Sequence, residues 1–128
     1  MIESAIYSIL SAHTGLKALT STRIYPLAAP IDTAKPLVVY EKTDAQRYNV
    51  MGGKGGVSEA EIEVTGYDTT PEGAADLGVQ IKAALEYYSG TSSNVVIQRI
   101  FPEGETSGFD SSTESYYYQC QFRAFFEE

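Results

Sequence analysis

The sharpest pattern in the first half of the chain is a strict alternation. Ala60, Ile62, Val64 and Gly66 interleave with Glu59, Glu61, Glu63, Thr65 and Tyr67. A period of two predicts a strand over 58–67 with one apolar, buried face and one charged, wet face. Upstream, Leu37-Val38-Val39-Tyr40 predicts a partner strand over 36–43. Pro36 can open it, because the first residue of a strand need not donate to a ladder. The connection 44–57 is long for a hairpin and holds Gly52, Gly53, Gly55 and Gly56 around Lys54. It is expected to be a flexible hairpin tip, of the kind more often functional than merely structural.

Three- and four-residue spacing appears elsewhere. Ile2, Ala5, Ile6, Ile9 and Leu10 predict an amphipathic helix over 2–13, stopped near Gly15. Leu16 and Leu19 can add a helical turn onto the same core, and Arg23-Ile24-Tyr25-Pro26 reads as a short extended piece. The connection 27–35, with Pro30 and Asp32, reads as irregular surface chain. Thr70-Pro71-Glu72 is a helix start: a capping hydroxyl, a proline suited to the first turn, and an acid at the positive end of the dipole. That helix is expected to run to about Tyr88 and to bury Ala74, Leu77, Ile81, Ala84, Leu85 and Tyr88, with Gly78 marking close approach to a sheet.

Residues 94–101 predict a strand apolar on both faces, and 102–113 a polar connection. The last strand, 115–126, alternates Tyr116, Tyr118, Cys120, Phe122, Ala124 and Phe126 with Tyr117, Gln119, Gln121, Arg123 and Phe125. The element order is therefore α-β-β-β-α-β-β without internal repeat. It predicts a single α+β domain over 1–128, a mainly antiparallel sheet of four to five strands with two helices packed on one face.

Charge adds an asymmetry. The 128 residues carry −8 in total; residues 1–56 hold four acids against six bases, giving +2, and 57–128 hold thirteen acids against three bases, giving −10. A basic nucleic-acid face would show the opposite balance. The split suits self-association of unlike surfaces, or simply solubility. No apolar run approaches the ~20 residues needed to cross a bilayer, and the N-terminus lacks the basic-then-apolar order of a signal peptide. Cys120 is the only cysteine, which excludes an internal disulfide.

Candidate chemistry is thin. Gly52-Gly53-Lys54-Gly55-Gly56 has a phosphate-loop look, but Gly55 rather than Ser or Thr follows the lysine, and a strand comes next where a helix is required. Glu59, Glu61 and Glu63 stand about 7 Å apart along one strand and do not converge on a point, which favours a solvated face or subunit contact over a metal or acid–base site. His13, the only histidine, reads as a helix-end residue satisfying carbonyls, and Cys120 as a buried inert thiol. No nucleophile elbow is present. No catalytic residue, cofactor or metal is expected. Ten tyrosines and no tryptophan point to core and sheet packing, with Tyr117, Phe125 and Tyr48 reserved for partner contact.

The order of these segments is distinctive: a short helix, Arg23-Ile24-Tyr25-Pro26, a proline-containing connection, Pro36-Leu37-Val38-Val39-Tyr40, the long connection, the alternating strand with its Asp68 turn, an alanine-rich helix and Phe122-Arg123-Ala124-Phe125. It resembles the tail-completion, or tail-terminator, family of long-tailed bacteriophages and prophages. The resemblance implies a non-enzymatic virion subunit, assembled in the bacterial host, that forms a ring, usually a hexamer, on the head-proximal end of the tail tube. The implied partners are further copies of itself, the tail tube protein and the head connector or head-closure protein, with DNA passing through a channel that does not hold it. Under this reading Arg47, Tyr48, Lys54, Tyr117 and Phe125 are candidate subunit or connector contacts, and Glu59, Glu61 and Glu63 a candidate acidic interface or channel face. A head-closure or tube subunit, or a small ligand-binding module, are the alternatives.

Overall fold

A computed structural model of the chain describes residues 2–21, 23–27, 34–47, 57–112 and 114–127, with 45–47 as backbone alone. Helices α1 (Ile2–Ala12) and α2 (Thr14–Thr20) precede strands β1 (Ile24–Pro26), β2 (Leu37–Arg47) and β3 (Ser58–Asp68). Helix α3 (Pro71–Leu85) then leads to β4 (Gly90–Ser92), β5 (Val95–Asp110) and β6 (Ser115–Glu127). The six strands form one sheet in the order β1-β2-β3-β6-β5-β4. Every neighbouring pair is antiparallel except β1 with β2, which is parallel.

The α+β class stands, with more elements than the four to five strands and two helices expected. The extra helix is α2: the chain turns extended at His13 (φ −73°, ψ 115°), so Leu16 anchors a separate helix instead of prolonging α1. The extra strand is β4, whose three residues Gly90, Thr91 and Ser92 are too few and too polar to show a period. A two-residue turn joins it to β5, with Ser93 and Asn94 both at positive φ (48° and 65°). That left-handed pair matches the twist of a tight hairpin.

Helix α3 stops at Leu85, short of the expected Tyr88, where Glu86 turns extended (φ −60°, ψ 125°), and two strand boundaries also move. β2 runs on to Arg47, four residues past the expected end at 43, because a bulge between Lys42 and Asp44 restores its register with β3. Within the expected connection 44–57, residues 48–56 lie outside the described residues. β5 continues to Asp110, through the stretch expected to be a connection. It is held there by its ladder with β6, and a bulge between Pro102 and Gly104 accommodates the proline. Its apolar alternation stops at Phe101 because the outer half of the strand is exposed on both faces.

One apolar cluster fills the side of the sheet that carries the helices. Ala60, Ile62 and Val64 of β3 and Cys120, Phe122, Ala124 and Phe126 of β6 meet Leu77, Ile81, Ala84 and Leu85 of α3 there, with Ile2, Ile6, Ile9 and Leu10 of α1. Thr70 caps α3 by accepting from the Gly73 N–H at 3.0 Å, with Pro71 in its first turn. Gly66 and Gly78 let α3 lie close: a Cβ at Gly66 would stand 2.6 Å from Leu77 Cβ, and one at Gly78 would stand 2.4 Å from the Tyr118 ring. Helix α1 reaches both ends of the strand order. Glu3 pairs with Lys42 of β2 at 3.3 Å, while Ser92 Oγ of β4 donates to the Ala5 carbonyl at 3.2 Å. The sheet is therefore curled, with α1 bridging its margins.

Gly66→Ala is expected to cost about 1–3 kcal/mol, since neither β3 nor α3 can retreat without opening the core. Ile81→Ala should cost about 2–5 kcal/mol. Gly104→Ala, where the added carbon meets only Gln121 at 3.6 Å, should fall within about 0.5 kcal/mol of wild type. Urea denaturation of the three variants checks the ranking.

Candidate subunit interface

The sheet face turned away from the helices carries the residues singled out for contact. The period of β3 sends Glu59, Glu61, Glu63, Thr65 and Tyr67 to it, opposite Phe125, Arg123, Gln121, Gln119 and Tyr117 of β6. Arg123 gathers three carboxylates. Its Nη1 donates to Glu59, its Nη2 to Glu61 at 2.6 Å and its Nε to Glu103 of β5 at 3.0 Å. A planar guanidinium suits this, because its fork of donors serves several oxygens at once. The Glu59 side chain is only 11% exposed, and the Arg123 guanidinium offsets its charge.

Glu63 stands outside this cluster. It lies opposite Gln121 on β6 and Glu41 on β2. Burial raises its pKa above the ordinary carboxylate range, and the neighbouring charges of Glu41 and Glu61 push the same way. Glu59, Glu61 and Glu63 thus share a face as expected, but only the first two are tied to Arg123.

Aromatic rings flank the acids. Phe125 packs edge-on against Phe101 (centroids 5.9 Å apart), which packs edge-on against Tyr87 at 6.3 Å. Tyr87 is 56% and Phe101 43% exposed. Tyr117 lies against Tyr67 at 6.4 Å. Of the expected contacts, Tyr117 and Phe125 therefore sit on the open face. Arg47 ends β2 as backbone, and Tyr48 and Lys54 lie outside the described residues. Tyr87, Phe101 and the exposed Phe109 were not among the residues singled out for contact. Phe101 closes an apolar run that reads as core, and only its register opposite Arg123 turns it outward.

The lone cysteine and the lone histidine lie on the helix side. Burial pushes the Cys120 thiol up to about 12, which leaves it a protonated, inert group at neutral pH. Above it Lys82 pairs with Glu105 at 3.0 Å and sits 5.4 Å over the Tyr118 ring. His13 does not satisfy helix carbonyls with its ring, as its position suggests; its Nε2 meets Gln80 Oε1 of α3 at 3.1 Å. Among the described residues no three His, Cys, Asp or Glu side chains are grouped to hold a metal ion. The recesses in the surface are shallow, about 300 Å³ for an apolar one under Phe109 and Tyr116.

The family model described as "Tail completion protein gp17" matches residues 4–127. Among curated protein sequences, none matches the chain. A solved structure titled "Virion of native gene transfer agent (GTA) particle" contains a chain of the same fold, with a TM-score of 0.78 at 20% identity, covering 99% of this chain and 95% of that one.

Two substitutions probe the open face. Arg123→Ala removes the partner of three carboxylates and is expected to cost about 1–3 kcal/mol at pH 7 by urea denaturation. Glu63→Gln should act oppositely. Its folded carboxyl titrates above the unfolded one, so the wild type keeps full stability below the unfolded pKa and loses some as pH rises through the folded pKa. The variant should therefore be more stable at pH 7, by roughly 0.2–1 kcal/mol from relief of the Glu41–Glu63 pair. That gain should vanish when thermal unfolding is followed below the ordinary glutamate range.

Proposed function

The chain belongs to the tail completion protein gp17 family, and from that premise we propose that it acts as a ring of identical copies seated on the head-proximal end of a phage-type tail tube. It is a structural protein of the virion tail. In this reading the ring, a hexamer, ends tube growth and offers the surface on which the head connector or head-closure protein docks.

The match over nearly the whole chain is the observation that carries the reading. The surface chemistry supports it. The conspicuous side chains outside the core are exposed aromatics and charges rather than a convergent polar site, which suits a protein that works by fitting against others. The excess of acid on the open sheet face, with Glu59, Glu61 and Glu103 around Arg123 and Glu41 opposite Glu63 beside them, suits a surface that repels DNA phosphates instead of binding them. Residues 44–57, with Arg47, Tyr48 and Lys54, are proposed to reach a neighbouring subunit or the connector.

Particles assembled without this chain are expected to show tubes of unregulated length and heads without tails by negative-stain electron microscopy. Normal-length tails joined to filled heads in its absence would overturn the reading. Removal of 52–56 should lower head–tail joining while leaving the folded monomer intact by circular dichroism.

A further inference from the structure

The open sheet face has an aromatic end with a charge of its own. On β5, Arg99 stands opposite Phe125 of β6, and Phe101 stands opposite Arg123. Both therefore share the open face with Phe125, and the exposed Tyr87 closes the group by packing on Phe101. A φ of 59° puts Tyr87 in the left-handed region, where a bulky side chain is strained. Two backbone bonds hold it there: its N–H donates to the Ile100 carbonyl at 2.7 Å, and the Ile100 N–H donates to the Tyr88 carbonyl at 3.1 Å. The fold thus keeps an aromatic ring in water at a position that glycine would occupy with less strain. Arg99 is exposed and has no partner among the described residues. The nearby Glu59, Glu61 and Glu103 are held by Arg123, which leaves Arg99 as the group free to take an incoming carboxylate.

The outer side of α3 has the opposite character. Glu72, Ala75, Asp76, Val79 and Ala83 are exposed and fall within an arc of about 100° on the helical period. That arc lies across the helix from the buried Leu77, Ile81 and Leu85. Neither Glu72 nor Asp76 has a partner among the described residues. Ala75 and Ala83 carry only a methyl group each, so a flat aromatic surface can come close to the helix around Val79.

We propose that the outer side of α3 in one copy of the chain docks on the Tyr87, Phe101 and Phe125 rings of a second copy, with Asp76 and Glu72 meeting Arg99. The inference rests on the ring reading above and deepens it by naming the surfaces that join neighbours. Charge selects this pairing over the self-pairings. Two aromatic ends facing each other would set Arg99 beside its own counterpart, and two α3 stripes would bring together acids with no base on either side. Spacing agrees as well. Asp76 and Val79 stand about 4.5 Å apart along a helix axis, and Arg99 and Phe101 about 7 Å apart along a strand. One helical turn therefore seats Val79 on Phe101 with the Asp76 carboxylate in reach of the guanidinium. Helix α3 covers one side of the sheet and the rings lie on the other, so the contact runs head to tail. Such heterologous contacts are the kind that close into rings.

Exchanging the two charges tests this, with assembly followed in solution by analytical ultracentrifugation and on the ends of purified tail tubes. Arg99→Asp or Asp76→Arg alone should raise the concentration for half-assembly about tenfold or more, with the circular dichroism of each monomer unchanged. The chain carrying both substitutions should recover wild-type assembly. So should an equimolar mixture of the two single variants, in which unlike chains alternate and every contact regains an opposite pair. Single variants that assemble like the wild type, or exchanges that fail to rescue, overturn the α3 contact and leave the ring reading standing. A wild-type chain that remains monomeric both alone and on tail tubes overturns both.

Discussion

Eleven consecutive residues of β3 pair with β6 without interruption, from Ser58 opposite Phe126 to Asp68 opposite Tyr116. Everything else in the molecule takes its orientation from that ladder. It sends Ala60, Ile62, Val64, Cys120, Phe122 and Ala124 to one side, where α3 covers them, and Glu59, Glu61, Glu63 and Arg123 to the other. Side chains alternate along a strand, so a slip by one residue would carry three glutamates into the core and the apolar set into water. The neighbouring ladders, β2 with β3 and β5 with β6, each contain bulges. Irregularity is confined to the strands outside the spine.

A two-sided sheet with one side committed to the core leaves the molecule its open face and margins for contact. The open face is stabilised internally by Arg123, which spends its donors on three carboxylates of its own chain. That arrangement orders the face without neutralising it, and rings at Tyr87, Phe101 and Phe125 provide apolar area beside it. Half-buried acids and exposed aromatics, rather than a convergent polar site, are what this face offers.

Much of the architecture was legible from periodicity. The helix over Pro71–Leu85 announced itself through Thr70 and Pro71, and the close approach at Gly78 followed from a glycine standing among helix formers. Leu16 and Leu19 marked a helical turn, but its standing as the separate helix α2 escaped, as did β4; they are seven and three residues long, too short for a period to accumulate. The outer half of β5 escaped for a different reason. Its residues are exposed on both faces and include a proline and two glycines, so nothing in their order distinguishes a strand from a loop. Its partner β6 supplies the regularity that its own side chains lack.

The same division holds for the contact surface. Sequence alone assigned Glu59, Glu61, Glu63, Tyr117 and Phe125 to a common polar face, because alternation is a local property that a strand cannot hide. It also carried the family resemblance, through the order of elements along the chain. Only tertiary structure decided that Arg123 takes Glu59 and Glu61 but not Glu63, and that Phe101 points outward. Those facts depend on which strands become neighbours and in what register, and pairing between residues twenty to sixty positions apart leaves no periodic trace in a single sequence.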